Sequence, residues 1–129
     1  MPDCRPLDRR IRGQVLLEDA MLVVAVSGEG RPVLRKLLDH PALRTLPLVV
    51  TVSADVDLRD RENLLWGIFT RFDCERDVRF TQGKLDGIAP AYGGALGIDA
   101  TWKRGYPARL AMEEEVLAKV EERWELYWR

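Results

Sequence analysis

Two apolar runs of strand length constrain this chain more than anything else in it: Met21 to Val26 (MLVVAV) and Leu48 to Val52 (LVVTV). Continuous runs of this kind suit strands covered on both faces, as in α/β sheets, and not the half-exposed strands of an open antiparallel sheet. Between them lies a helical pattern. Ser27-Gly28-Glu29-Gly30 breaks the first run, Pro32 suits a first helical turn, and Val33, Leu34, Leu37 and Leu38 recur at helical spacing before His40-Pro41 ends the helix. Strand, helix, strand predicts a βαβ unit with a right-handed crossover.

The flanking segments fill in a single-domain α/β fold with a mostly parallel or mixed sheet between helices. Gln14 to Glu18 reads as a short edge strand after a flexible lead-in over residues 1–12, leaving 13–129 as the folded domain. A second helix is expected from Asp57, with Asp60 as a capping-box partner and Leu64, Leu65, Ile68, Phe69 and Phe72 as one apolar stripe. Asp77 to Thr81 alternates like a half-exposed strand. Residues 82–97 carry five glycines and a proline with little periodicity, and read as a long loop. A long C-terminal helix is expected from about Ala108 to Tyr127, with Leu110, Val116, Leu117, Val120 and Trp124 on its apolar side.

With 129 residues the chain is large enough to bury a core without staples. Lys+Arg 20 against Asp+Glu 21 leaves a formal net charge of −1, so no whole-chain field draws it to nucleic acid or to an anionic membrane. No apolar run approaches the ~20 residues of a membrane span. The charged N-terminus lacks the apolar stretch of a secretory signal, and Cys4 and Cys74 stand apart with neither a C-x-x-C pair nor a histidine cluster. Cytoplasmic location with reduced thiols is the expectation.

Four groups are candidates for chemistry. Ser27–Gly30 is a glycine turn before a helix, a place where backbone amides can hold a phosphate. It is only a fragment of a dinucleotide motif, and Glu29 opposes an anion. Asp55, Asp57 and Asp60 with Arg59 follow a strand end, where carboxylates can bind a cation or cap the next helix. Arg71 lies at a helix C-terminus in Arg71-Phe72-Asp73, suited to an internal ion pair for which Asp99 is the expected partner. Trp124, Tyr127 and Trp128 place three large aromatics within five residues near the chain end, a candidate subunit contact. His40 is the single histidine, and no G-x-S-x-G setting surrounds a serine, so hydrolase chemistry is disfavoured.

Several spaced pieces in the central part then occur in a telling order. These are Asp55-Val56-Asp57-Leu58-Arg59-Asp60, Trp66, Thr70-Arg71-Phe72-Asp73, Arg76-Asp77 and Gly97-Ile98-Asp99-Ala100-Thr101, with Lys103 just beyond. This order resembles the C-terminal segment of UbiD-family carboxylases and decarboxylases, enzymes that use prenylated flavin mononucleotide. The resemblance runs from about Met21 to Lys103. Ser53-Ala54 departs from it, standing where the family usually has aspartates, which weakens a metal reading of the acidic run.

The resemblance implies the following. In that family the flavin, its metal and the catalytic Glu-Arg-Glu set lie in domains ahead of this segment. The chain is therefore expected to bind no flavin by itself and not to be catalytic alone. It is expected to serve as a small accessory subunit or detached C-terminal domain of a carboxy-lyase acting on aromatic or other unsaturated acids. Prenylated flavin and metal belong to a catalytic partner chain, and partner binding or self-association is expected. Asp55, Asp57, Arg59, Asp60, Trp66, Arg71, Asp73, Asp99 and Thr101 are then structural motif residues, and Trp124, Tyr127 and Trp128 face an oligomer contact. The rival reading is a free-standing α/β domain that binds a small anion or nucleotide at Ser27–Gly30.

Overall fold

A computed structural model of the protein describes residues 1–106 and 113–126. Its strands are β1 (Ile11–Leu17), β2 (Met21–Val26), β3 (Leu48–Ser53), β4 (Val78–Asp86) and β5 (Ala89–Ala100), forming one mixed sheet in the order β1-β2-β3-β5-β4. Strands β2, β3 and β5 run parallel, in register as Val24↔Thr51 and Thr51↔Asp99, and β1 and β4 close the edges antiparallel. The helices are α1 (Arg31–Asp39), α2 (Arg61–Phe69) and α3 (Glu114–Arg123).

The two apolar runs are buried on both sides, as their composition demands. Alternate residues feed opposite clusters, because strand side chains alternate faces. Leu22, Val24, Val26 and Val49 pack against Val33, Leu34, Leu37 and Leu38 of α1. Val23, Ala25, Val50 and Val52 pack against Val56, Leu64 and Ile68 on the α2 side. Two glycines set how near the helices come. A Cβ at Gly97 of β5 would stand 2.6 Å from Leu38 Cδ1, and one at Gly67 of α2 would stand 2.7 Å from Val56 Cγ2.

Four expectations are corrected. Residues 82–97 are not a loop: β4 and β5 pair from Val78↔Ile98 to Asp86↔Ala89, with a bulge between Phe80 and Gln82 and a turn at Gly87, whose φ is +64°. The glycines and polar residues that blur the periodicity belong to a hairpin exposed on both faces, where no alternation is required. Helix α2 starts after Asp60 and not at Asp57, because the Asp60 side chain accepts the Glu62 and Asn63 amides as an N-cap. Its stripe is narrower than expected. Leu64, Gly67 and Ile68 are buried, while Leu65 and Phe69 face outward. Lastly, packing begins near Cys4 and not at residue 13. Cys4 is fully buried, and Asp8 is held by Arg10 (2.9 Å) and Lys36 (2.7 Å).

The expected C-terminal helix corresponds to α3 followed by a 3-10 turn at Trp124–Leu126, all of it largely exposed. Ala108 and Leu110 lie outside the described residues, as do Tyr127 and Trp128.

Candidate functional site

The C-terminal ends of the parallel strands β2, β3 and β5 carry the segments Ser27–Gly30, Ser53–Asp60 and Thr101–Tyr106, the edge where open α/β sheets place their ligands. A buried charge network occupies it. Asp99 is almost fully buried, and its Oδ1 accepts from Thr51 Oγ1 (3.1 Å), the Thr101 amide (3.2 Å) and Thr101 Oγ1 (2.6 Å). Thr101 Oγ1 in turn accepts the Gly30 amide at 3.2 Å, at the N-cap of α1. The helix dipole favours a carboxylate here. A Cβ at Gly30 would collide with Asp99 and Thr101, lying 2.5 Å from Thr101 Cγ2, so only glycine lets the turn close on the GIDAT segment.

Lys103 gathers the rest. Its Nζ donates to the carbonyls of Asp99 (2.7 Å), Thr101 (2.9 Å) and Arg71 (3.3 Å), and lies 3.5 Å from Asp77 and 3.7 Å from Asp99. Asp77, also buried, accepts from Tyr106 Oη (2.6 Å), the Asp73 amide (2.9 Å) and Arg31 (3.3 Å). Burial pushes the Asp77 carboxyl up, but the Tyr106 hydroxyl, the Asp73 amide and the Lys103 charge outweigh it, and the carboxyl sits below the ordinary range. The same bond to Asp77 holds the Tyr106 hydroxyl above its usual value.

The motif residues divide among local roles. Arg71 does not meet Asp99, contrary to the expected clamp. Its Nη1 and Nη2 each lie 2.9 Å from one oxygen of Asp55, and its guanidinium sits 5.4 Å from the centre of the Trp66 ring. The short chain between Asp55 and α2 folds back so that both ends of the segment meet, while Asp99 points to the α1 side of the sheet. Asp57 accepts the Arg59 amide (2.9 Å), and Asp73 accepts those of Glu75 and Arg76 (2.9 and 3.2 Å). Sequence reasoning misses Asp77, Lys103, Tyr106 and Gly30 as members of one cluster. The Arg76-Asp77 pair and Lys103 are visible as motif pieces, whereas Tyr106 gives no signal.

These carboxylates are occupied by arginine, lysine, hydroxyls and amides. Among the described residues no group of three or more His, Cys, Asp or Glu side chains is placed to hold a metal ion. Committed in this way, the carboxylates do not fit a metal centre. No helix among the described residues is long and apolar enough to cross a membrane.

Residues 19–100 match the family model described as the 3-octaprenyl-4-hydroxybenzoate carboxy-lyase C-terminal domain, and the chain belongs to that family. It is 30% identical over 108 residues to a Chlamydia pneumoniae protein named as a subunit of 4-hydroxybenzoate decarboxylase, covering 83% of this chain and 18% of that one. An uncharacterized protein of Aeropyrum pernix is likewise 30% identical over 113 residues, covering 78% of this chain and 23% of the relative. Among solved structures, the vanillic acid decarboxylase of Sedimentibacter hydroxybenzoicus in its open form superposes with a TM-score of 0.64 at 17% identity, over 98% of this chain and 31% of that one. The UbiD-class enzyme HmfF from Pelotomaculum thermopropionicum, in complex with FMN, gives 0.66 at 19% identity, over 92% and 30%. At these identities the structural likeness establishes the fold. The chain spans about a fifth to a third of the length of the relatives it matches.

Proposed function

We propose that this chain works as the C-terminal domain of a cytoplasmic UbiD-like carboxy-lyase for aromatic or other unsaturated acids, with flavin-binding and catalytic domains supplied outside residues 1–129. The observation that carries this reading is the family match over residues 19–100, which takes in all of β2 to β5 and reaches the Asp99–Lys103 network. Prenylated flavin and its metal would sit on the catalytic partner, and this chain would contribute structure and contact surface.

Two exposed features support a partner role. The β4–β5 hairpin leaves Leu85, Ile88 and Tyr92 largely in water, with Ile88 100% exposed at its tip. Helix α3 exposes Val116 and Leu117, and Trp124 beyond it is 55% exposed. Apolar side chains grouped like this gain by being covered. The nine motif residues, from Asp55 to Thr101, would fix the strand-end loops between those surfaces.

The test is reconstitution. The chain is mixed with UbiD-type flavin-binding domains, and light scattering and decarboxylation of 4-hydroxybenzoate are followed. A stoichiometric complex with more turnover than either component supports the reading. No complex, together with undiminished turnover by the flavin domains alone, overturns it.

A further inference from the structure

We propose that the cleft between α1 and the edge strand β4 is a binding site for the phosphate group of a small molecule. Arg31 and Arg35, one turn apart on α1, line a cleft of about 140 Å³ together with Arg76, just before β4, and Arg79 at the start of that strand. A second cleft of about 230 Å³ continues from Arg79 to Arg44. The walls are held at this spacing by the close approach of Leu34 and Leu38 to Gly97. In register, Gly97 pairs with Arg79, so the bare glycine and the arginine share one face of the sheet.

The charges in the cleft are not all matched. Arg31 is committed to Asp77, and Arg76 to Asp73 and the Tyr106 hydroxyl. The carboxylates on the floor, Asp77 and Asp99, are already satisfied by Tyr106, Thr51, Thr101 and Lys103. The side chains of Arg35 and Arg79 have no hydrogen bond or ion pair among the described residues, although Asp39 lies one turn from Arg35. Two arginines with uncommitted side chains therefore line one cleft.

Two positive charges match the dianion of a phosphate monoester, whose second ionisation falls near pH ~6. A monocarboxylate would neutralise only one of them. Leu34 and Val78 are the apolar lining residues, too few to clamp an aromatic base, so the group recognised is the phosphate itself.

The test uses the intact chain and inorganic phosphate at constant ionic strength, followed by amide chemical shifts and by thermal melting. Saturable binding is expected, with shifts centred on Arg35 and Arg79 and a phosphate-dependent rise in Tm. Benzoate should bind more weakly. Arg35→Gln and Arg79→Gln should each weaken phosphate binding by about tenfold while melting, without phosphate, at or slightly above the parent temperature, because each removes an unpaired like charge. The proposal is overturned if phosphate does no more than chloride of equal ionic strength, or if both variants bind phosphate like the parent. Tighter binding of a hexaglutamate peptide than of phosphate would also overturn it, by making the cleft a docking surface for acidic protein. Failure to assemble with flavin-binding domains would leave this result untouched, so the two proposals fail separately.

Discussion

Arg71, 2% exposed, grips the half-exposed Asp55 through two parallel hydrogen bonds of 2.9 Å, while its Nε has no hydrogen-bond partner among the described residues. The pair ties the end of α2 to the loop that leaves β3. Its stability is asymmetric. Removing Asp55 strands a buried guanidinium, whereas removing Arg71 leaves a carboxylate that water reaches. Asp55→Ala is therefore expected to cost about 2 kcal/mol, below the usual figure for a fully buried pair because Asp55 is partly hydrated. Adding Arg71→Met should cost little more than Asp55→Ala alone. Urea melts of the double-mutant cycle measure the coupling, and additive single effects would show that the pair contributes nothing.

Gly30 and Gly28 should respond differently to the same substitution. Gly28 has a φ of +88° and open space around it, so Gly28→Ala carries a backbone penalty of about 1 kcal/mol. Gly30 has no such φ, but a Cβ there enters the Asp99–Thr101 bonds, and Gly30→Ala is expected to cost about 2–3 kcal/mol. Equal costs in denaturant melts would mean that α1 does not dock on the GIDAT segment through this glycine.

The network also fixes a pH dependence. The folded-state carboxyls of Asp77 and Asp8 lie below the ordinary value, Asp8 because of Arg10 and Lys36. Their contribution is thus complete above the unfolded value of about 3.9 and is lost as the pH falls through the folded one. Tyr106 lies above its ordinary value, so its contribution is complete below about pH 10 and is lost as the pH rises further. Tyr106→Phe removes the 2.6 Å bond to Asp77 and should move the acid unfolding midpoint to higher pH. An unchanged midpoint would mean that this bond does not hold the carboxyl down.

The parallel core is legible in the sequence because MLVVAV and LVVTV have few alternatives, and the α1 stripe points at one side of them. The hairpin is not legible, since an edge pair solvated on both faces needs no alternating pattern, and Gly83, Gly87, Gly93 and Gly94 look like loop residues. Ion-pair partners are the least legible part. The sequence points Arg71 at Asp99, but Asp99 sits beside Thr51 on the α1 face of the sheet and Arg71 pairs with Asp55 at the end of β3, a choice of face that spacing along the chain does not reveal. The arginine cleft is invisible in the sequence because its two walls, Arg31 and Arg76, stand 45 residues apart in the chain and are brought together by the β4–β5 pairing.

Leu85 and Ile88 contribute little to the domain's own core, whereas Tyr92 stacks on Phe80 with ring centres 4.1 Å apart, so the double change of Leu85 and Ile88 to serine should shift Tm by only a few degrees, in keeping with surface substitutions of within about 0.5 kcal/mol each. If the hairpin meets the catalytic partner, the same variant should lose capture of that partner in a size-exclusion assay. Retained capture would locate the contact elsewhere, with Trp124 and α3 the next surface to alter.

The role proposed for this domain is tested most directly by loading prenylated flavin onto UbiD-type flavin-binding domains, onto this chain, and onto their mixture. Flavin absorbance and decarboxylation of an aromatic acid are then measured in each. Residues 1–129 alone should hold no stoichiometric flavin and give no turnover, and turnover in the mixture should depend on complex formation. Stoichiometric flavin on the isolated chain, or turnover by it, would contradict a partner-dependent role.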